Sequence, residues 1–451
     1  DTYYLWIWLD AEETDTDTMD QLFYLVLNGS CTDTKIVPNA PVLDDGMIPI
    51  VFDTSNGTVI KTVSSTDSSW YDYSNQEWAN AVLVKTSGTQ TRAYYKANPG
   101  VVVNESDILA YYVWIPRYSY KIWSVDNNNK KGKEQTIDIQ FEGTGTISTG
   151  TTVGTYITHP AFWWDDDSNG VRDSGEELAG IWVGKFETTG TAENPTILPN
   201  VTSLRGQNVS TQFATAQLLG GTTYGVSSSS DSHMMKNSEW GAAAYLSHSK
   251  YGVNREVYIN NSGYPTYTGR SGGNVGGKTP INKTYTDQTL TTEYNNYGYY
   301  TWDGYLLNYN TNTKSSIRDL TKVASTTGNI TGIYDMVGGA AEYVMGNYKD
   351  TVGSSGFSSM PDGKYYDKYI TANNLTACNG GICYGHALSE TSVWYDDSAN
   401  TVSSKSIWYL RGGNRSFGSN AGVFTRVFGA GTGGGSSTSN IGFRSMIVNV
   451  G

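Results

Sequence analysis

Charge is scarce in this sequence. Only 16% of its 451 residues are Asp, Glu, Lys or Arg, where a soluble domain usually carries about a quarter. The charge that is present leans acidic, with 30 Lys and Arg against 43 Asp and Glu, a net −13. No basic run stands out beyond Lys130-Lys131-Gly132-Lys133, which argues against a nucleic-acid partner. No apolar run approaches the roughly 18–20 residues of a membrane-spanning helix. Cysteine is limited to three positions. Cys378 and Cys383 bracket a short Gly-containing loop and are read as a disulfide, because a metal site needs four ligands and there is no second pair. Cys31 is left to pair with a cysteine upstream or to stay free. The four histidines, His159, His233, His248 and His386, show no metal-ligand spacing.

What the chain has in abundance is aromatic and small polar residues. Aromatics are 13%, with 34 Tyr and 13 Trp, alongside 51 Gly. This is a β-rich, extracellular-looking composition. Tyr, Ser, Gly and Asn also dominate antibody and engineered binding surfaces, although a plain β-rich secreted protein would show the same usage.

The length predicts about three domains. Residues 1–33 read as strand, turn, strand, the end of a truncated N-terminal β domain. Because 3–9 look like a strand already in progress, a signal or membrane anchor is expected upstream. Residues 34–145 read as a β-rich domain: 46–52 and 58–63 are strands around an Asn56-Gly57 hairpin turn, 108–123 is the most aromatic segment, and Pro116 within it marks a sheet edge or a bend. Residues 146–451 form the third unit. It contains a strand at 180–187 and the strongest helix signal of the chain, 234–246, with Ser232 or Asp231 as its N-cap.

One local motif is sharp. Asp165, Asp167, Asn169, Gly170, Val171, Asp173 and Glu176 fit the D-x-D-x-N-G-x5-E calcium loop at every ligand position. Asp165, Asp167 and Asn169 would offer side-chain oxygens and Val171 its carbonyl. Asp173 would act directly or through water, and Glu176 would close the site. The following segment, 178–183, reads as a strand, so the usual helix–loop–helix is not expected. The expected cofactor is a structural Ca2+ ion; an acidic, solvated turn is the plainer alternative.

The C-terminal third carries further motifs: Glu239-Trp240 on the predicted helix, Gly332-Ile333-Tyr334-Asp335-Met336 with Glu342-Tyr343, and Arg411-Gly412-Gly413, Arg426 and Ile441-Gly442-Phe443-Arg444 near the end. In this order they resemble the formylglycine-generating-enzyme type of C-type-lectin fold over residues 150–451. Departures are Gly339 where Asn is usual, Tyr343 for Trp, and Asn414 where Ser is common. The resemblance implies an α+β fold: a C-terminal C-type-lectin domain preceded by small β-rich domains. It does not bring the enzyme activity with it. Those enzymes bind copper through a cysteine pair just after the R-G-G segment, and 414–426 contains no Cys. The related iron-dependent sulfoxide synthases need a histidine cluster. Fold alone does not supply function.

The ending also resembles the variable proteins of diversity-generating retroelements, in which the last strands and loops of a C-type-lectin fold are mutated at template adenines. The products of asparagine codons of the AAC type then include Val, Phe, Gly, Ala, Thr, Ser, Tyr and Asp, but not Lys, Glu, Gln, Met or Trp. Every residue from 427 to 438 belongs to that set, as do Ser416 and Phe417; a small-residue loop would often pass the same test. The resemblance implies a variable region at about 408–444. Its expected ligand-binding residues are Tyr409, Ser416, Phe417, Val427, Phe428, Ala430, Thr432, Ser436, Ser437 and Thr438. The upstream β units also resemble surface proteins of gut-type Firmicutes, which often carry an N-terminal anchor. The expectation is a non-enzymatic receptor or adhesin, extracellular or on the cell surface, recognising a protein or glycan. It would touch a membrane only through an upstream anchor, and a homo-oligomer is left open. The alternatives are a filament-forming surface protein and an oxidase of the formylglycine-generating type.

Overall fold

The computed structural model describes residues 38–124, 133–143, 145–170, 173–262, 266–272, 297–308, 313–370, 383–427 and 434–450. The chain divides into two compact units, Asp1–Ile36 and Val37–Gly451; the first, with the strands expected at 1–33, lies outside the described residues.

In chain order the second unit begins with β1 (Met47–Asp53), β2 (Val59–Thr62), β3 (Asn80–Val84), the short α1 (Arg92–Ala97), β4 (Ile108–Pro116), β5 (Tyr118–Lys121), β6 (Ile139–Phe141) and β7 (Tyr156–Thr158). It continues through β8 (Gly180–Gly184), β9 (Thr189–Gly190), β10 (Pro195–Thr196), α2 (Val209–Leu218), β11 (Ser230–Met234), α3 (Asn237–Ser247), β12 (Tyr297–Tyr300), β13 (Tyr305–Asn308) and β14 (Lys314–Arg318). It closes with β15 (Ala341–Tyr348), β16 (Asp367–Tyr369), β17 (Trp408–Arg411), β18 (Arg426–Val427), β19 (Ile441–Phe443) and β20 (Ser445–Asn449). The described chain is thus mostly β-sheet with few helices.

Seven strands form the main sheet, in the order β11-β20-β8-β4-β3-β1-β2. Its centre is β4, whose sequence ILAYYVWIP has no polar alternation and is buried along nearly its whole length. A strand with apolar residues on both faces must lie inside a sheet covered on both sides. β4 pairs with β3 on one edge and with β8 on the other. Strands from both sides of the expected 145/146 boundary therefore share one sheet, and the division of the chain falls instead at 36/37. Pro116 ends β4, and the chain bends there into the separate sheet β6-β5-β7. The Asn56-Gly57 turn joins β1 and β2, with Gly57 in the left-handed region at φ 92°.

The second large sheet runs β16-β15-β17-β18, with β19 also paired to β15. Only Arg444 separates β19, in this sheet, from β20, in the main one.

The expected helix at 234–246 starts later. Met234 is the last residue of β11, paired with Ser445 of β20, and α3 opens at Asn237 with Lys236 at its cap. Pairing with β20 claims the backbone of Ser232 and Asp231, so neither caps the helix. Glu239 closes the first turn by accepting from the Lys236 N–H at 2.7 Å, a capping-box contact. Every residue of α3 is buried, and its Gly-Ala-Ala-Ala centre permits close approach: a Cβ on Gly241 would lie 1.9 Å from the Gly385 carbonyl oxygen.

Candidate ligand-binding surface

The C-terminal motifs form a buried frame. Arg411, Arg426 and Arg444 are all fully buried. Arg444, between the two sheets, binds both. Its guanidinium donates to the Glu342 carboxylate on β15 at 2.5 and 3.2 Å, to the Gly184 carbonyl on β8 at 2.8 Å and to the Tyr334 carbonyl at 2.9 Å. This explains why Gly332–Met336, Glu342 and Arg444 travel together as motifs. Glu187 and Asp335 are buried nearby. Glu187 accepts from Ala340 N at 2.9 Å and contacts the Ser203 hydroxyl, while Asp335 accepts from Asn260 Nδ2 and Gly269 N, each at 2.8 Å. Burial raises the pKa of all three carboxyls. Arg444 counters it for Asp335 and Glu342, whereas Asp335 and Glu342 add to it for Glu187. Glu187 is held well above the usual carboxylate range.

From this frame the chain turns outward. Gly412 and Gly413 both have positive φ, 76° and 67°, and a Cβ on Gly412 would lie 3.0 Å from the Met336 carbonyl oxygen. Glycine is required at both. Asn414 then accepts from Ser416 N at 2.9 Å, an Asx turn, while Arg415 N donates to the Gly339 carbonyl at 3.0 Å. Between these turns and the returning segment lies a pocket of about 230 Å³ lined by Arg205, Thr266, Gly339, Asn414, Arg415, Ser416, Ser439 and Asn440. Two of the departures from the enzyme pattern, Gly339 and Asn414, line it. Gly339 has φ 62°, and a Cβ there would sit 2.4 Å from Glu187 Oε1, so the buried carboxyl excludes a larger residue. The third, Tyr343, donates its hydroxyl to the Ser436 carbonyl at 3.2 Å and ties down the returning segment.

The expected ligand-binding residues do not share one environment. Ser416 and Ser437 are exposed, and Ser436 and Thr438 are half-buried. Phe417 is half-buried with its ring packed on both core clusters. Tyr409 and Val427 are corrected: they are 1% and 5% exposed. Tyr409 lies in β17 with its ring perpendicular to Tyr369 at 5.0 Å, and Val427 pairs with Leu410 in β18 and packs in the core. Strand pairing turns both inward, so they support the surface rather than form it. Phe428, Ala430 and Thr432 lie outside the described residues. Arg205, Thr266, Ser439 and Asn440 were not expected to line this pocket; Arg205 and Thr266 come from segments with no motif, brought in by tertiary contacts alone.

The acidic loop brings part of its expected ligand set together. Oxygens of Asp165, Asp167 and Glu176 lie within 4.8 Å of one another. Asp165 accepts from Asn169 N and Gly170 N at 3.0 and 2.9 Å. Asn169 Nδ2 donates to Asp167 and Asp173 at 2.8 and 2.9 Å. Glu176, largely buried, accepts from Asp166 N and Asp173 N at 3.2 and 2.7 Å. Gly170 has φ 75°, and Val171 lies outside the described residues. The flanks are a 3-10 turn at Pro160–Phe162 and, beyond the loop, strand β8. Cys383 is buried and disulfide-bonded; Cys378 and Cys31 lie outside the described residues.

His233 sits at the foot of α3, between Asp231 at 2.9 Å and Glu239 at 3.1 Å. Burial works against its charge, but Glu239 and Asp231 prevail and hold its pKa up at about 9.

No protein-family model and no curated protein sequence matches the chain. Among solved structures it is similar to the Major Tropism Determinant P3c variant, at 10% identity and TM-score 0.28, covering 88% of this chain and 83% of that one. The Major Tropism Determinant M1 variant gives 11% identity and TM-score 0.27, over 91% of this chain and 85% of that one. Treponema denticola variable protein 1 gives 15% identity and TM-score 0.19, over 89% and 99%.

Proposed function

We propose that this chain is a non-enzymatic ligand-binding protein of a bacterial surface. In this reading its C-terminal part is a C-type-lectin domain of the formylglycine-generating-enzyme type, and 408–444 is a region diversified by a retroelement. The observation that carries the reading is the contrast between frame and surface: Arg411, Arg426 and Arg444 are buried and Gly412 and Gly413 turn the chain outward at positive φ, while Ser416 and Ser437 nearby in the C-terminal segment are exposed. A rigid scaffold with replaceable side chains at its rim is what a tuneable binding site requires. The ligand is a protein or glycan outside the cell. The encoding DNA tests this directly. A neighbouring reverse transcriptase and a near-copy of the 408–444 coding segment, differing at adenines, are expected; a genomic neighbourhood with neither would sink the reading.

The same reading gives the 165–176 loop a structural Ca2+ ion, supported by the full sequence match and by the convergence of Asp165, Asp167 and Glu176. Calcium at about 100 times its dissociation constant would stabilise the fold by ~2.7 kcal/mol. A chelator should lower the melting temperature, and Asp167→Ala should abolish that response. A chelator-insensitive wild type would leave the loop as an acidic turn.

A further inference from the structure

Arg411 and Arg426 are cross-strand partners in the pairing of β17 with β18, and both are fully buried. Burial, with Arg426 adding to it, pushes Arg411 down to about 9, and burial pushes Arg426 down to about 10. Both remain charged at neutral pH. Two like charges opposite one another in an interior are costly unless something compensates them.

Their protein contacts compensate little. Arg411 donates twice to the Ala387 carbonyl, both at 3.4 Å, and lies 5.7 Å from the centre of the Trp240 ring. Arg426 donates to the Leu388 carbonyl at 2.8 Å and to Ser392 Oγ at 3.3 Å. The Nε of each guanidinium has no hydrogen-bond partner. The segment that wraps the pair also holds the hydroxyls of Ser389 and Thr391, buried and equally unpartnered.

Among the described residues no carboxylate is paired with either arginine. Glu390 belongs to the same segment but is engaged by Tyr120, Tyr245 and Gly385 N, and Asp397 accepts from Phe424 N. Tyr245, Tyr369 and Tyr409 are held above the usual tyrosine range, first by burial, so none is a phenolate at neutral pH. Residues 371–382 and 428–433 contain no Asp or Glu. Arg444, in the same frame, has its carboxylate in Glu342.

We propose that Arg411 and Arg426 together bind a small monatomic anion, with chloride as its common representative. Two unpartnered Nε–H donors on paired strands, with unpartnered hydroxyls in the segment that both guanidinium groups contact, suit an ion that accepts a few hydrogen bonds and imposes no shape. The full burial of both side chains leaves no open cleft for an organic acid. The ion neutralises the cross-strand repulsion and sets the spacing of β17 and β18, the strands that lead into the 412–421 turns.

The test uses the whole chain. Melting temperature is measured in sodium chloride, sodium bromide and sodium gluconate at fixed ionic strength, and crystals grown in bromide are searched for anomalous scattering. The halides should give a saturable rise of about 2–5 °C over gluconate, and an anomalous peak should lie between the two guanidinium groups. Arg426→Gln should remove the halide response. If that variant fails to fold, the wild-type crystal decides alone. A peak between the guanidinium groups supports the proposal; the absence of one there overturns it, whatever the melting temperatures do.

Discussion

Val427 and Ser437 belong to the same stretch of small residues and to the same set of adenine-reachable products, yet they do opposite things. Val427 is 5% exposed, paired with Leu410 across β17 and β18. Ser437 is exposed beyond the last turn. Tyr409 and Ser416 repeat the contrast on the other side of the Gly412-Gly413 turn. At these four positions residue type does not tell frame from rim; backbone pairing does.

The largest effect is expected at the frame. Arg444→Met leaves Glu342 buried without its partner and strips a donor from Gly184 and Tyr334. Removing one member of a buried pair costs about 3–5 kcal/mol, read as the shift in urea midpoint. A loss under about 1 kcal/mol would mean that sheet packing, not this ion pair, joins the two sheets.

His233 gives the next effect, and it depends on pH. Its folded pKa of about 9 lies above the ordinary value of 6.5. The stability it contributes is therefore complete below about 6.5 and is lost as pH rises through about 9, up to ~3 kcal/mol. His233→Gln should flatten the stability profile between these values. An unchanged alkaline slope would show that Asp231 and Glu239 do not hold the imidazole charged. Val427→Ala follows, at about 2 kcal/mol for a buried aliphatic side chain. A cost near zero would return Val427 to the binding surface.

Much of this frame could be read from the sequence, because it consists of residue types with one use. Arg444 with Glu342, the Gly412-Gly413 turn and the acidic loop each need a particular chemistry at a particular spacing. The central position of β4 was not legible in the same way: Pro116 pointed to a sheet edge or a bend, and it lies at a bend that ends a central strand. What the sequence hid was depth and partnership. Tyr409 and Val427 carry no mark of burial, since their inward direction follows from pairing with neighbours distant in the chain. Asp231 and Ser232 looked like helix caps because β20, more than 200 residues later, could not be seen to claim their backbone. Arg205 and Thr266 reach the pocket at Gly339 from segments with no periodic signal.

The smallest expected change in stability belongs to the rim, and it carries the functional claim. Ser416 and Ser437 are exposed. Tyrosine at either should move stability by no more than about 0.5 kcal/mol while adding a large aromatic surface suited to recognition. A displayed library randomised at 416 and 437 should stay resistant to protease in most members and yield binders to an arbitrary protein target. A matched library randomised at 409 and 427 should lose protease resistance in most members, because polar or bulky residues there must enter the core. Equal resistance in the two libraries would erase the distinction between frame and rim. A folded rim library that yields no binders would leave the frame intact but remove its purpose.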